Sequence, residues 1–186
     1  MPRYLALLRG INVGGRNKVA MADLRALASA LGLADATTYI QSGNLLFSCA
    51  ETDPAELADR LEAEIASRLD VRPAVVVLSR SELKQVIADN PFSGETNPKC
   101  VHAMFHRDEV GPDHVAAVAA AVERARSTGS RDDAAVVGRT LFLHTPEGYG
   151  RSELAAQLSR SSVQIAGTAR NWATVTKLMA MLDAVS

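Results

Sequence analysis

Tyr4-Leu5-Ala6-Leu7-Leu8-Arg9-Gly10-Ile11-Asn12-Val13-Gly14-Gly15-Arg16-Asn17-Lys18 carries the decisive transition of this chain. An unbroken apolar run stops at Leu8, and a segment of three glycines, two asparagines, two arginines and a lysine follows. A run that is apolar at every position fits a strand buried on both faces, at the centre of a sheet. Glycines then let the backbone turn and let a ligand come close. Beyond the loop, Met21, Leu24, Leu27, Ala28 and Leu31 recur at helical spacing, and Gly32 closes that helix.

Further along, Thr37 to Gln41 and Leu45 to Ser48 are β-prone segments joined by the hairpin signal Ser42-Gly43-Asn44. Asp53-Pro54 starts a second helix, with proline suited to the first turn. Leu57, Leu61, Ile65 and Leu69 line its buried face. Ala74 to Leu78 reads as another buried strand. The order strand, helix, strand, strand, helix, strand is the split βαβ, or ferredoxin-like, arrangement. A short helix over Ser81 to Ala88, capped by Ser79 or Ser81, leads into a segment, 90–98, dense in turn formers.

The second half repeats this grammar imperfectly. Val101 to His106 reads as a strand and Pro112 to Arg126 as a helix. Ala134 to Val137 and Thr140 to His144 read as a hairpin turning at Gly138-Arg139, and Gly150 to Ser159 as a helix. Where a last strand would close the second unit, Asn171 to Ala184 shows helical spacing instead. The expectation is an α+β protein, a tandem of two ferredoxin-like units, the second ending in a C-terminal helix. Its divisions are an N-terminal βαββαβ unit over 1–89, a linker over 90–98, and a βαββα unit plus terminal helix over 99–186.

The chain has 186 residues, 47% of them hydrophobic and 22% charged, which is ordinary for a soluble globular protein with a real core. The formal net charge of −1 gives no global pull toward nucleic acid or an anionic membrane. The start Met1-Pro2-Arg3-Tyr4 has no signal-peptide pattern, and no apolar run approaches the roughly 20 residues that span a bilayer. Cys49 and Cys100 have no metal-ligand or disulfide-framework spacing. A cytoplasmic protein without membrane contact is expected.

Topology then predicts which loops meet. Right-handed crossover makes the strand after the first helix parallel to the first strand. Arg9 to Lys18, Ser42-Gly43-Asn44 and the connection Asp70 to Pro73 should therefore share one end of the sheet. Backbone N–H groups leading to a helix start, with cations beside them, are a usual way to hold an anion. Arg9, Arg16 and Lys18 would supply charge and Gly14 and Gly15 backbone donors. Asn12, Asn17, Ser42, Gly43 and Asn44 would complete the site with neutral groups and a tight turn. The plain alternative is that Gly14-Gly15 makes a tight turn and Ser42-Gly43-Asn44 an ordinary hairpin. The spacing matches neither the P-loop nor the dinucleotide fingerprint.

A second candidate is Thr168 to Val175, where Thr168 or Asn171 could cap the last helix beside Arg170. Trp172, the single tryptophan, would stack on a ring or anchor the helix by packing. His102 and His106 fall on one strand face but lack a third ligand, so exposed strand histidines are expected there and no metal is. Ser42 lacks a nucleophile elbow. The residues name no catalytic group and no cofactor, and leave open whether any reaction is catalysed.

Arg9-Gly10-Ile11-Asn12-Val13-Gly14-Gly15, with Asn17-Lys18, Met21 and Leu24-Arg25, resembles the opening signature of the bacterial family called domain of unknown function 1697. Thr38 to Asn44 is similar to its second block, Asn90-Pro91-Phe92 to a third, and Arg170-Asn171-Trp172 with Thr174-Val175 to its last. The resemblance runs over nearly the whole chain and implies a small two-part α+β protein, with no activity, substrate or cofactor. Ala20 stands where many relatives carry proline.

The leading expectation is a site for a small phosphate- or carboxylate-bearing ligand. A nucleic-acid-binding module is the first alternative, disfavoured by an aromatic content of 4%, since sheet recognition of RNA stacks bases on exposed rings. A protein-interaction or assembly role, including a homo-oligomer, is the second.

Overall fold

The apolar run at the start of the chain forms β1 (Arg3–Leu8), followed by α1 (Met21–Ala30), β2 (Ala34–Tyr39), β3 (Asn44–Ser48), α2 (Pro54–Leu69) and β4 (Val75–Ser79). The protein is described by a computed structural model that covers residues 1–51, 53–160 and 167–184. These strands make a four-stranded sheet in the order β2-β3-β1-β4, which places β1 in the interior as its sequence requires. β1 runs antiparallel to β3 and β4, and β2 antiparallel to β3. β1 and β2 therefore point the same way, as a crossover through α1 requires.

Alternation along β1 decides what the helices cover. Tyr4, Ala6 and Leu8 share a core with Leu24 and Leu27 of α1 and with Leu57, Leu61 and Ile65 of α2. Each of these leucines, removed from water, contributes roughly 1.5–3 kcal/mol. The Asp53 carboxylate accepts a hydrogen bond from the Ala55 N–H at 2.8 Å and starts α2 beside Pro54. Asp70, left-handed with φ 53°, ends it. The next helix, α3 (Arg80–Ala88), opens on a reciprocal cap. The Ser79 N–H donates to Glu82 Oε2 at 2.7 Å and the Glu82 N–H to Ser79 Oγ at 3.2 Å, so Ser79 and not Ser81 is the cap.

The second half contains β5 (Val101–Phe105), α4 (Pro112–Ser127), β6 (Asp133–Val137), β7 (Thr140–His144), α5 (Glu153–Arg160), β8 (Thr168–Asn171) and α6 (Trp172–Asp183). Its sheet has the order β6-β7-β5-β8, and every neighbouring pair is antiparallel. Ala121, Val122 and Ala125 of α4 pack with Leu143, Leu154 and Ala155. β8 corrects the expectation that this half closes without a final strand. Thr168-Ala169-Arg170-Asn171 pairs with β5 from Phe105 to His102 before α6 begins. Among the described residues the whole is thus a mixed α/β fold of two four-stranded antiparallel sheets and six helices.

The chain divides into one unit of Met1–Gln85 with Lys177–Ser186 and another of Val86–Thr176, so the boundaries fall inside α3 and α6. The segment 90–98 belongs with the second unit. There Glu95 bonds to His144 at 2.8 Å, and the Phe92 ring stacks on the His144 ring at 5.3 Å. In the first unit, Arg3 Nη1 donates to the carbonyls of Met181 and Leu182, at 3.1 Å each, and Arg80 Nε to Asp183 Oδ1 at 2.7 Å. A guanidinium at the C-terminus of a helix satisfies carbonyls that have no partner within the helix and opposes its dipole. Arg3→Ala is expected to cost about 1–2 kcal/mol in chemical denaturation and to speed amide hydrogen exchange in the last turn of α6. Unchanged exchange there would refute the role assigned to Arg3.

Candidate functional site

Three connections meet at one rim of the first sheet. The Leu8 N–H donates to the Gly43 carbonyl and the Arg9 N–H to the Ala74 carbonyl, both at 2.9 Å. The end of β1 is thereby tied to the β2–β3 hairpin on one side and to the start of β4 on the other, as the topology predicts. The loop that leaves β1 has two buried feet, Ile11 and Val19, which lie in the same core as Leu8 and Leu24.

Between its feet the loop is a miniature hairpin. The Asn12 N–H donates to the Asn17 carbonyl at 3.0 Å, the Arg16 N–H to the Val13 carbonyl at 3.1 Å, and Val13 and Arg16 form an antiparallel bridge. Gly14 and Gly15 have φ values of 58° and 75°. Positive φ at both central positions is the signature of a type I′ turn, which glycine enters without penalty. The glycine pair is therefore explained by a tight turn. Their two N–H groups at the tip make no hydrogen bond among the described residues.

The asparagines fasten this hairpin to the fold. Asn12 Nδ2 donates to the Val19 and Gln41 carbonyls, both at 2.9 Å, and Asn12 Oδ1 accepts from the Val19 N–H at 2.9 Å. Asn17 Nδ2 donates to the Gly10 carbonyl at 3.1 Å. Asn44, fully buried, donates to the Tyr39 carbonyl at 2.9 Å and to Ser42 Oγ at 3.0 Å. These groups spend their amides on holding the loops. Asn12 and Asn17 adopt left-handed backbone, φ 55° and 48°, which asparagine tolerates better than most residues.

Charge is left at the surface. Arg9, Arg16 and Lys18 are exposed, and among the described residues their side chains form no hydrogen bond or ion pair. Beside them, Val13 is 67% and Ile40 51% exposed. Ile40, in the β2–β3 turn, has φ 48°. A β-branched residue held in the left-handed region stores about 1–3 kcal/mol of strain, and such outliers concentrate at functional sites. Sequence reading missed Ile40, because a β-branched residue beside a strand carries no signal of left-handed backbone.

The second candidate segment belongs to the second unit, where each residue is engaged. Arg170 is buried, and its Nη1 donates to Thr168 Oγ1 and to the Ala169 carbonyl, both at 2.8 Å. Loss of solvent lowers its pKa to about 10. Asn171 caps α6 by accepting from the Thr174 N–H at 2.8 Å. Trp172 lies 6.2 Å from the Phe142 ring in a tilted arrangement, as a packing residue does. The histidines also differ from expectation. His106 is buried, with Nδ1 3.1 Å from the Arg139 carbonyl. His102 is half-buried against the Tyr149 ring at 4.6 Å, and burial lowers its pKa. Among the described residues, no group of three or more potential metal ligands is present.

The second unit has a polar cavity of about 310 Å³ between Thr128–Asp132 and Glu147–Glu153. Its carboxylates already meet donors: Ser152 Oγ bonds to Asp132 at 2.7 Å, Arg131 to Glu147 at 2.8 Å and Thr128 to Glu153 at 3.0 Å. Tyr4, the one aromatic of β1, is buried with its hydroxyl donating to the Glu51 carbonyl at 2.8 Å, so it offers no ring for base stacking.

The model of a family described as a protein of unknown function (DUF1697) matches residues 1–142, and the chain belongs to that family. The match takes in the loop, the β2–β3 hairpin and the 90–98 segment, and ends before Arg170-Asn171-Trp172. The solved structure of a conserved bacterial protein from Streptococcus pneumoniae is similar over 97% of this chain and 98% of its own, with TM-score 0.78 and 28% identity. No curated protein matches significantly.

Gly43 is the least replaceable residue of the rim. Its φ is +76°, and a Cβ there would lie 2.8 Å from both Ile11 Cδ1 and Leu8 Cβ. Gly43→Ala is expected to lower stability by about 2–4 kcal/mol, combining left-handed strain with overpacking. Gly14→Ala, strained but open to solvent, should cost about 1–2 kcal/mol. Equal losses in urea denaturation would contradict the packing described for Gly43.

Proposed function

We propose that the rim of the first sheet binds a small anionic molecule bearing a phosphate or carboxylate group. The observation that carries this reading is the cluster Arg9, Arg16 and Lys18. Among the described residues, these three exposed cations have no acidic partner, and they sit on and beside a hairpin whose feet, Ile11 and Val19, are anchored in the core. Anchoring the backbone at both feet spares the entropy of ordering the loop, so only the side chains lose freedom when they meet an anion. The N–H groups of Gly14 and Gly15 add donors at the tip. Asn12, Asn17, Ser42, Gly43 and Asn44 serve by shaping the rim, and Arg170, Asn171 and Trp172 are left out of it because each is engaged within the second unit.

The same reading extends to architecture and place. The strand orders and the antiparallel pairing in both sheets support a tandem of ferredoxin-like units, with the first specialised by its longer loop. A cytoplasmic protein acting on or sensing a metabolite suits this chemistry.

Titration calorimetry and thermal shift with inorganic phosphate and citrate test the proposal. The wild type is expected to bind at least one of them saturably and to gain in Tm. Each of Arg9→Ala, Arg16→Ala and Lys18→Ala should weaken binding about tenfold, close to 1.4 kcal/mol. Equal responses from the wild type and the triple variant, or none from the wild type, would refute it.

A further inference from the structure

The rim carries apolar groups that a bare anion does not need. Val13 and Ile40 are among the most exposed large apolar side chains of the protein, at 67% and 51%. They flank one interaction: Val13 follows Asn12, Ile40 precedes Gln41, and Asn12 Nδ2 bonds to the Gln41 carbonyl at 2.9 Å. The two side chains therefore project from adjoining loops on the rim that also bears Arg9, Arg16 and Lys18.

Ile40 is the more telling of the two. Its left-handed backbone would suit glycine or asparagine, and an isoleucine there is strained. A buried isoleucine could offset strain through packing. This one is half exposed and recovers only part of what a core position returns. An exposed, strained apolar residue on a rim whose cations have no partner among the described residues suits a surface for amphiphilic anions.

We propose that the anion bound at this rim is amphiphilic: an alkyl or aryl phosphate or carboxylate whose charged head meets Arg9, Arg16 and Lys18 and whose apolar part lies against Val13 and Ile40. This rests on the anion-binding reading of the same site and assigns its ligand class. The complementarity is twofold, since the cations select the head and the exposed side chains reward a tail by removing apolar surface from water. The same chemistry is met in a soluble metabolite and in the head and upper chain of an anionic lipid.

The test compares inorganic phosphate with hexyl phosphate by calorimetry on the whole chain, and adds sedimentation with phosphatidylcholine vesicles, pure or containing phosphatidic acid. Hexyl phosphate is expected to bind at least tenfold more tightly than phosphate. In a Val13→Ser, Ile40→Gly variant that ratio should fall toward one. This variant relieves the strain at Ile40, so its melting temperature should not drop, and a misfolded protein cannot be mistaken for a binding defect. Sedimentation only with phosphatidic acid would identify a lipid-borne ligand, and hexyl phosphate binding without sedimentation a soluble one. Equal affinities for phosphate and hexyl phosphate would overturn the amphiphile assignment while leaving an anion site. An unchanged ratio in the variant would also overturn it. Binding of neither compound, with none of citrate either, would remove both readings.

Discussion

The Asn12 side chain is the constraint on which this rim depends. Its amide joins the far end of its own loop, through Val19, to the neighbouring hairpin, through Gln41. One residue thus closes the loop on itself and fixes it against a second. Both donors and one acceptor site of the amide are used, so an aspartate or leucine there would leave backbone carbonyls without a partner. Ile11 and Val19 sit in the core on either side, and the backbone between them is short enough that the type I′ turn at Gly14-Gly15 is the compact way to close it. Arg16 and Lys18 are thus carried on a loop fastened at both feet and cross-linked to its neighbour.

The two units differ in the length of one connection. In the first, 9–20 separate β1 from α1; in the corresponding place of the second, only 106–111 separate β5 from α4. A strand-to-helix step is thus made in the second unit with half the residues, so a connection of that kind does not itself need the longer stretch. They form the hairpin that carries Arg16 and the exposed Val13. Extra chain at a strand-to-helix connection can be accommodated without disturbing the sheet beneath it, which suits the site proposed there.

Most of the first unit was legible in sequence because its signals are physical and local. The unbroken apolar run of β1, the spacing of Leu57, Leu61 and Ile65, and Asp53-Pro54 each have one economical solution. β8 was not legible. Thr168-Ala169-Arg170-Asn171 is short and polar, and pairing with β5 makes it a strand where its own periodicity does not. The meeting of the loops at one rim followed from handedness, whereas the roles of the asparagines did not. An amide in a polar loop has the same sequence signature whether it holds a ligand or, as for Asn12 and Asn44, a backbone carbonyl. Arg170 shows the same limit, since charge beside a helix start reads as an exposed site and only packing reveals that it is buried.

The central claim is that the Asn12-fastened rim receives an anion while the second sheet does not. A proton–nitrogen correlation titration of the labelled chain with inorganic phosphate examines every backbone amide at once. The account predicts saturable shifts at Gly14, Gly15, Arg16 and Lys18, with the amides of β5 to β8 unmoved. Saturable shifts confined to the second unit, or a uniform drift that never saturates, would contradict it.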